Sequence, residues 1–219
     1  MNRLIYILTI LFACISTTYA QKSWKHVYRK DGFNIYTRSS KESPIKSLLA
    51  EGIINAPVEK ICGILRNVES ATRWIPNLNE RSYVVHTSDT EAILYDISNM
   101  PWPVVDRDIV VSHKLTLSKD KKFLILNFKS VVHPKKKKSK KYVRAKIHHS
   151  KIEFHPRGNK TYLRLFLLVD PMGKIPKWVV NILQIKMPYE FLKALDKYAQ
   201  KTKISPLPGV QAIIDQLDR

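Results

Sequence analysis

Four side chains in two neighbouring stretches have the types that polar chemistry inside an apolar site would use: Tyr95 and Asp96, then Arg107 and His113. An imidazole near a carboxylate or a phenol can pass a proton, and the same groups can hold the polar part of a bound ligand. For His113 two readings stand side by side, a contact to a bound ligand and a core histidine satisfied by its surroundings. Arg107 reads as structural, hydrogen-bonded near Asp106 or Asp108, because a buried guanidinium without partners is very costly. Cys62 has no local histidine or positive cluster to lower its pKa and reads as a small buried hydrophobe. His148 and His149 are adjacent, so on a strand they point to opposite faces and cannot share one metal. No HExxH, CxxC, GxSxG or phosphate-cradling glycine loop occurs, so neither catalysis nor a metal or cofactor is expected.

Charge is the second feature. Lys and Arg number 38 against 18 Asp and Glu, a net +20 over 219 residues. Hydrophobic residues make up 44% of the chain, with only six Gly and two Cys, which excludes a disordered, collagen-like or disulfide-held chain. Nine positive residues and no acid lie between Pro134 and Lys151: Lys135, Lys136, Lys137, Lys138, Lys140, Lys141, Arg144, Lys146 and Lys151. The first six fall in an expected hairpin loop. Such a run is either a solvated charged loop or a docking surface for an anionic membrane, worth about 1 kcal/mol per lysine at the surface. Only Tyr142 interleaves with it, and no nucleic-acid motif is present, so a nucleic-acid partner is not expected.

These residues need elements to position them. Met1–Ala20 reads as a secretory signal: Arg3 supplies the charge, Leu4–Ile15 the apolar run, and Thr18-Tyr19-Ala20 the cleavage site. Lipoprotein processing at Cys14 is the alternative. Cleavage after Ala20 takes twenty residues and one positive charge, leaving 199 residues at +19, periplasmic or secreted, with Cys62 as the one thiol. The domain must then be held by its core, and about 200 residues can bury roughly 70% of the unfolded surface. Residues 21–205 form the expected domain and 206–219 a tail with a short helix.

The mature chain opens on a hairpin, Trp24–Tyr28 and Phe33–Arg38 around the turn Asp31-Gly32, and a third strand, Leu48–Ile54. Pro57 starts a helix whose stripe is Val58, Ile61, Cys62, Leu65 and Val68. A short irregular piece, Glu69–Leu78, precedes strands at Arg81–His86, Glu91–Ser98, Asp108–Leu117, Phe123–Val132, Val143–Phe154 and Tyr162–Val169, with no helices between them. That spacing predicts an antiparallel meander. The last long element, Ile175–Lys201, is helical, with Trp178, Ile182, Ile185, Tyr189, Leu192, Leu195 and Ala199 on one side and a kink at Pro188. The class is α+β, a curved sheet closed over one long C-terminal helix, which tends to enclose a cavity.

Two stretches carry a family resemblance. Asn99-Met100-Pro101-Trp102-Pro103-Val104-Val105-Asp106-Arg107-Asp108-Ile109-Val110 resembles the Pro-rich loop and Arg-Asp strand start of the START (StAR-related lipid-transfer) domain family. Tyr142-Val143-Arg144, Phe154-His155-Pro156, Lys160-Thr161 and Asp170-Pro171-Met172-Gly173-Lys174-Ile175-Pro176-Lys177-Trp178-Val179-Val180-Asn181 are similar to that family's last two strands, its turn and the start of its closing helix; Trp74 also fits. The resemblance, to a bacterial-type secreted member, spans roughly Trp24–Thr202. It implies a helix-grip fold of the START and Bet v 1 type, whose hydrophobic tunnel holds one lipid and carries it between membranes without chemistry.

Within that frame alternation assigns the concave face. Leu163, Leu165 and Leu167 on one strand, Ile109, Val111 and His113 on another, Tyr95, and Trp178, Ile182 and Ile185 on the closing helix are the expected cavity residues. For the aliphatic ones the competing reading is plain core packing. Met100, Trp102 and Pro103 form the expected lid, facing the closing helix, with Trp102 suited to a bilayer interface. The partners expected are a lipid and an anionic membrane, with the protein a monomer. The rival is an enzyme of the polyketide-cyclase type on the same scaffold, with His113, Asp96 or Tyr95 as acid or base.

Overall fold

The computed structural model describes residues 23–40 and 45–218. The expected signal segment, with Cys14 and the cleavage site, lies outside them. Strands β1 (Lys25–Lys30), β2 (Phe33–Arg38) and β3 (Ser47–Ile54) pair antiparallel in sequence order. Asp31 and Gly32 both take positive φ, 50° and 81°, the geometry a tight hairpin turn needs and an Asp-Gly pair supplies. Helices α1 (Val58–Arg66) and α2 (Ala71–Trp74) follow. Then come β4 (Leu78–His86), β5 (Glu91–Ser98), β6 (Arg107–Leu117) and β7 (Leu124–Ser130), each antiparallel to the next.

The expected single strand Val143–Phe154 is three strands: β8 (Val143–Arg144), β9 (Lys146–Ile147) and β10 (Ser150–Arg157). The expected antiparallel meander holds along the long strands β4-β5-β6-β7-β10, and the short β8 adds one parallel pairing, to β6. The N–H groups of Val143 and Ala145 bond the carbonyls of Asp106 and Asp108 at 3.1 and 3.0 Å, and the Arg144 side chain is drawn to the Asp108 carboxylate. These bonds lay the chain beside the start of β6 before it turns into β10. Strand β11 (Lys160–Leu167) pairs with β10 and with β3, and β12 (Val169–Asp170) with β9. The sheet order is β1-β2-β3-β11-β10-β7-β6-β5-β4, so the third strand joins the last long strand and the sheet curls around what lies inside.

Inside lie α1 and the closing element, which is α3 (Lys177–Asn181), a π-helical turn (Ile182–Lys186) and α4 (Met187–Lys201). Leu192, Leu195 and Ala199 of α4 are fully buried and meet Ile61, Ile64 and Phe154 in one core. Three polar contacts hold the helix along its length: the Tyr189 hydroxyl and the Lys193 ammonium donate to Asp31 at 2.5 and 2.7 Å, and the Asn55 N–H donates to Asp196 at 2.6 Å. In the segment 206–219, α5 (Pro208–Ile214) sends Val210 and Ile214 into the same core. Gly63 of α1 makes room for it, since a Cβ there would stand 2.8 Å from the Ser205 carbonyl oxygen. Cys62 is buried on α1, as its stripe predicts, and burial pushes its thiol pKa up, which makes it unreactive.

Candidate functional site

A cavity of about 340 Å³ separates the concave face of the sheet from the closing element. Alternation along β6 aims Ile109, Val111 and His113 into it, and alternation along β11 aims Leu165 and Leu167 the same way. Leu163 has the same parity, but it lies further toward the buried end of α4 and is core rather than wall. The roof comes from Val180, Leu183, Gln184, Met187, Pro188 and Phe191. The expected roof residues Trp178, Ile182 and Ile185 do not line the space, and Trp178 is 47% exposed. The cause is the π turn. Pro188 has no N–H to give the preceding turn, and the i→i+5 pattern there changes the period, so the face set downstream does not continue inward upstream.

One end of the cavity is polar. Arg81 Nε donates to Asp96 Oδ1 at 2.8 Å and Nη2 donates to Oδ2 at 2.6 Å, a bidentate pair with both side chains nearly buried. His113 lines the same space, packed on Phe128, and its Nδ1 has no partner among the described residues. Burial first, then the charges of Arg81 and Arg66, hold the His113 pKa well below the ordinary imidazole value of 6.5, so the ring is neutral at neutral pH. Arg81 escapes the sequence reading. Its one signal is a charge at an inward position of a strand, and its pairing with Asp96 follows a register shift between Tyr83 and Val85 of β4.

Tyr95 is corrected outright. Asp96 faces the cavity, so its neighbour faces away. Tyr95 packs with Val84, Ile97 and Val110, and its hydroxyl donates to Asp108 Oδ2 at 3.1 Å. Burial, then the Asp108 charge, pushes that hydroxyl up to about 12. For acid–base work the arrangement is poor: Asp96 has both oxygens on Arg81, Tyr95 is on the other face, and His113 has no carboxylate partner among the described residues.

Arg107 lies at the mouth and is structural, though not through the carboxylates the sequence suggests. It donates to the carbonyls of Val105, of Pro171 at 3.0 Å and of Met172 at 2.9 Å, tying the Pro-rich loop to the turn before the closing element. Asp106 instead accepts the Met100 N–H at 2.8 Å. Of the expected lid, Met100 lines the cavity, while Trp102 is 88% exposed and Pro103 lies against Lys174–Pro176. Of the three, Pro103 shares a surface groove with the segment before the helix.

The lysine loop is anchored through Lys136 and Lys137. Arg144 binds Asp108 through Nε and Nη2, both at 2.8 Å, and reaches the carbonyls of Lys136 and Lys137 at 3.3 Å. The Lys136 ammonium lies 3.9 Å from the centre of the Tyr95 ring, while Lys135, Lys137, Lys138, Lys140 and Lys141 are exposed.

The START domain family model matches residues 16–204. The chain belongs to the START domain family. Mouse START domain-containing protein 10 is 27% identical over 196 residues, covering 85% of this chain and 66% of its own length; the chain thus spans about two thirds of that relative. Among solved structures, human StAR-related lipid transfer protein 5 superposes with a TM-score of 0.72 at 22% identity, over 81% of this chain and 86% of that one. The STAR-related lipid transfer protein fragment of Xanthomonas axonopodis gives 0.71 at 23% identity, over 81% and 99%. These likenesses show the helix-grip fold, and what this START domain does with it rests on its own residues.

The buried imidazole has a consequence for stability. Below pH 6.5 the unfolded chain takes up a proton that the folded chain refuses, so stability is complete above 6.5 and falls as pH drops, by up to about 1.4 kcal/mol per pH unit. Between pH 6.5 and roughly 4.5, above the carboxylate range, His113→Gln should flatten this slope in denaturant titrations. A parent profile that is flat in that window would contradict a buried neutral His113.

Proposed function

We propose that the protein binds one lipid in this cavity and exchanges it, chemically unchanged, with an anionic membrane outside the cytoplasm, the signal at Met1–Ala20 having been removed. The observation that carries the reading is the cavity itself, a largely apolar chamber with one buried polar cluster, the layout of a site for an amphiphile. The START neighbours whose titles name lipid transfer support it.

The membrane part rests on the surface at the mouth. Arg107 gathers two loops that carry exposed Trp102, Val105, Met172 and, just beyond, Trp178. Val143, where the lysine loop ends, packs beside Gly173 of the same turn. Apolar rings and a basic platform therefore adjoin the opening. Four lysines at about 1 kcal/mol each give transient attachment, and an exposed Trp adds interfacial depth.

Extraction of the purified protein with organic solvent, followed by mass spectrometry, should return about one lipid per chain; a lipid-free protein that also takes none from vesicles would end this reading. For the docking surface, replacing Lys135, Lys137, Lys138 and Lys140 by Gln should weaken binding to phosphatidylserine vesicles by more than about tenfold. Trp102→Ala should slow transfer between vesicles without changing Tm, and unchanged transfer would remove the lid role.

A further inference from the structure

The end of the sheet opposite the mouth carries a second basic surface. The turns β6–β7 and β10–β11 stand side by side there, since β7 pairs with β10 and Phe123 stacks on His155 with ring centres 4.3 Å apart. Their tips expose Lys119, Lys121, Lys122, Arg157 and Lys160. Asp120 in the first turn and Asp218, whose N–H bonds the Lys121 carbonyl at 2.9 Å, offset only part of this charge. We propose that this end takes a second anionic membrane while the mouth engages the first, so that one molecule bridges two bilayers. This rests on the membrane-docking reading above and extends it.

Distance makes the two surfaces independent. Arg144 fixes the lysine loop to Asp108 near the start of β6, and Ser118 begins the turn at the other end of that strand. At about 3.3 Å per residue the strand between them spans roughly 30 Å. That is several times the Debye length of about 8 Å in physiological salt, so a bilayer held at the mouth neither occupies nor screens the far cations.

The β6–β7 turn is also held in place. The buried Ser118 hydroxyl donates to Asp120 at 2.7 Å and accepts the N–H groups of Lys122 and Phe123, both at 3.1 Å. A fixed backbone lowers the ordering cost of presenting its lysines to a charged plane. Beside the tips, the outer face of the sheet sets Ile53, 42% exposed, next to Tyr162 and then His155. Such an apolar and amphipathic row next to cations suits the headgroup region of a bilayer. Phe123 and His155 cover each other's faces, which does not suit the stacking of nucleic-acid bases.

The test mixes the purified protein with vesicles of phosphatidylserine and phosphatidylcholine and follows their clustering by dynamic light scattering. The parent should cluster them, and salt at about 0.5 M should disperse the clusters. Replacing Lys119, Lys122, Arg157 and Lys160 by Gln should cut clustering at least about tenfold, while the variant still sediments with the vesicles and keeps its Tm. Clustering by that variant equal to the parent's would overturn the far surface, because the vesicles would then be joined by another route, such as contact between two bound molecules. A parent that sediments with anionic vesicles without clustering them would overturn bridging and leave docking at the mouth intact. A parent that does not sediment with them would overturn the docking proposed above as well.

Discussion

Replacing Asp108 by Ala should cost about 3–5 kcal/mol and lower Tm on the order of 10 °C. Asp108 is 1% exposed and accepts three bonds, two from Arg144 and one from Tyr95. Without it the Arg144 guanidinium, largely buried, keeps only two 3.3 Å contacts to carbonyls, and the Tyr95 hydroxyl loses its acceptor. An unpaired buried charge costs far more than the pair contributes, because the surviving partner remains desolvated. The damage should spread to the lysine loop, which Arg144 holds by the carbonyls of Lys136 and Lys137. Trypsin should then cut between Lys135 and Lys141 well below Tm, and Asp108→Asn, which keeps an acceptor, should show a smaller version of both effects. A Tm within two degrees of the parent, marked as an approximate threshold of about 1 kcal/mol, would mean that the Arg144 pair does not organise this end of the sheet.

Val111→Trp should abolish lipid uptake while leaving the domain folded. Val111 lies on the cavity wall of β6 between Ile109 and His113, and it also packs with Ala92 and Leu94, so part of the added indole presses on packed neighbours while the rest enters the cavity. Overpacking costs about 1–3 kcal/mol, and the variant should lose that much stability without unfolding. Extractable lipid should fall at least about tenfold, since the indole takes up room in the cavity that the lipid would occupy. Vesicle binding through the lysine loop should persist, which separates docking from loading. If lipid content stays near the parent level in a folded variant, the ligand is held elsewhere on the protein.

The two substitutions probe opposite faces of the same strands, and that division was only half visible in the amino-acid order. Along β6 and β11 the alternation of side chains assigns the cavity parity correctly, because neighbouring positions on a strand must face opposite ways. The same rule forbids Tyr95 and Asp96 from sharing the cavity, and only the burial of the Arg81–Asp96 pair shows which of the two points in. The pair was hidden because β4 has an irregularity between Tyr83 and Val85. It shifts the register, and no local pattern reports a shift.

The closing helix failed for a related reason. Downstream of Pro188 the 3.6-residue period correctly buries Tyr189, Leu192, Leu195 and Ala199. Upstream, the π turn changes the period, and a face extrapolated through it lands on Trp178, Ile182 and Ile185 instead of Val180, Leu183 and Gln184.

By itself, then, the order of amino acids determined the Asp-Gly turn, the strand and helix content, the inward parity of the long strands and the concentration of lysines between Pro134 and Lys151. These are local properties, set by backbone preference, side-chain period and composition. Tertiary structure alone decided that Arg144 folds those lysines onto Asp108, that Arg81 meets Asp96 beside His113, and that Arg107 binds three carbonyls at the mouth. Each joins residues on different elements, and a buried charge takes whichever partner the register and the loops bring within reach, because burial makes any partner better than none.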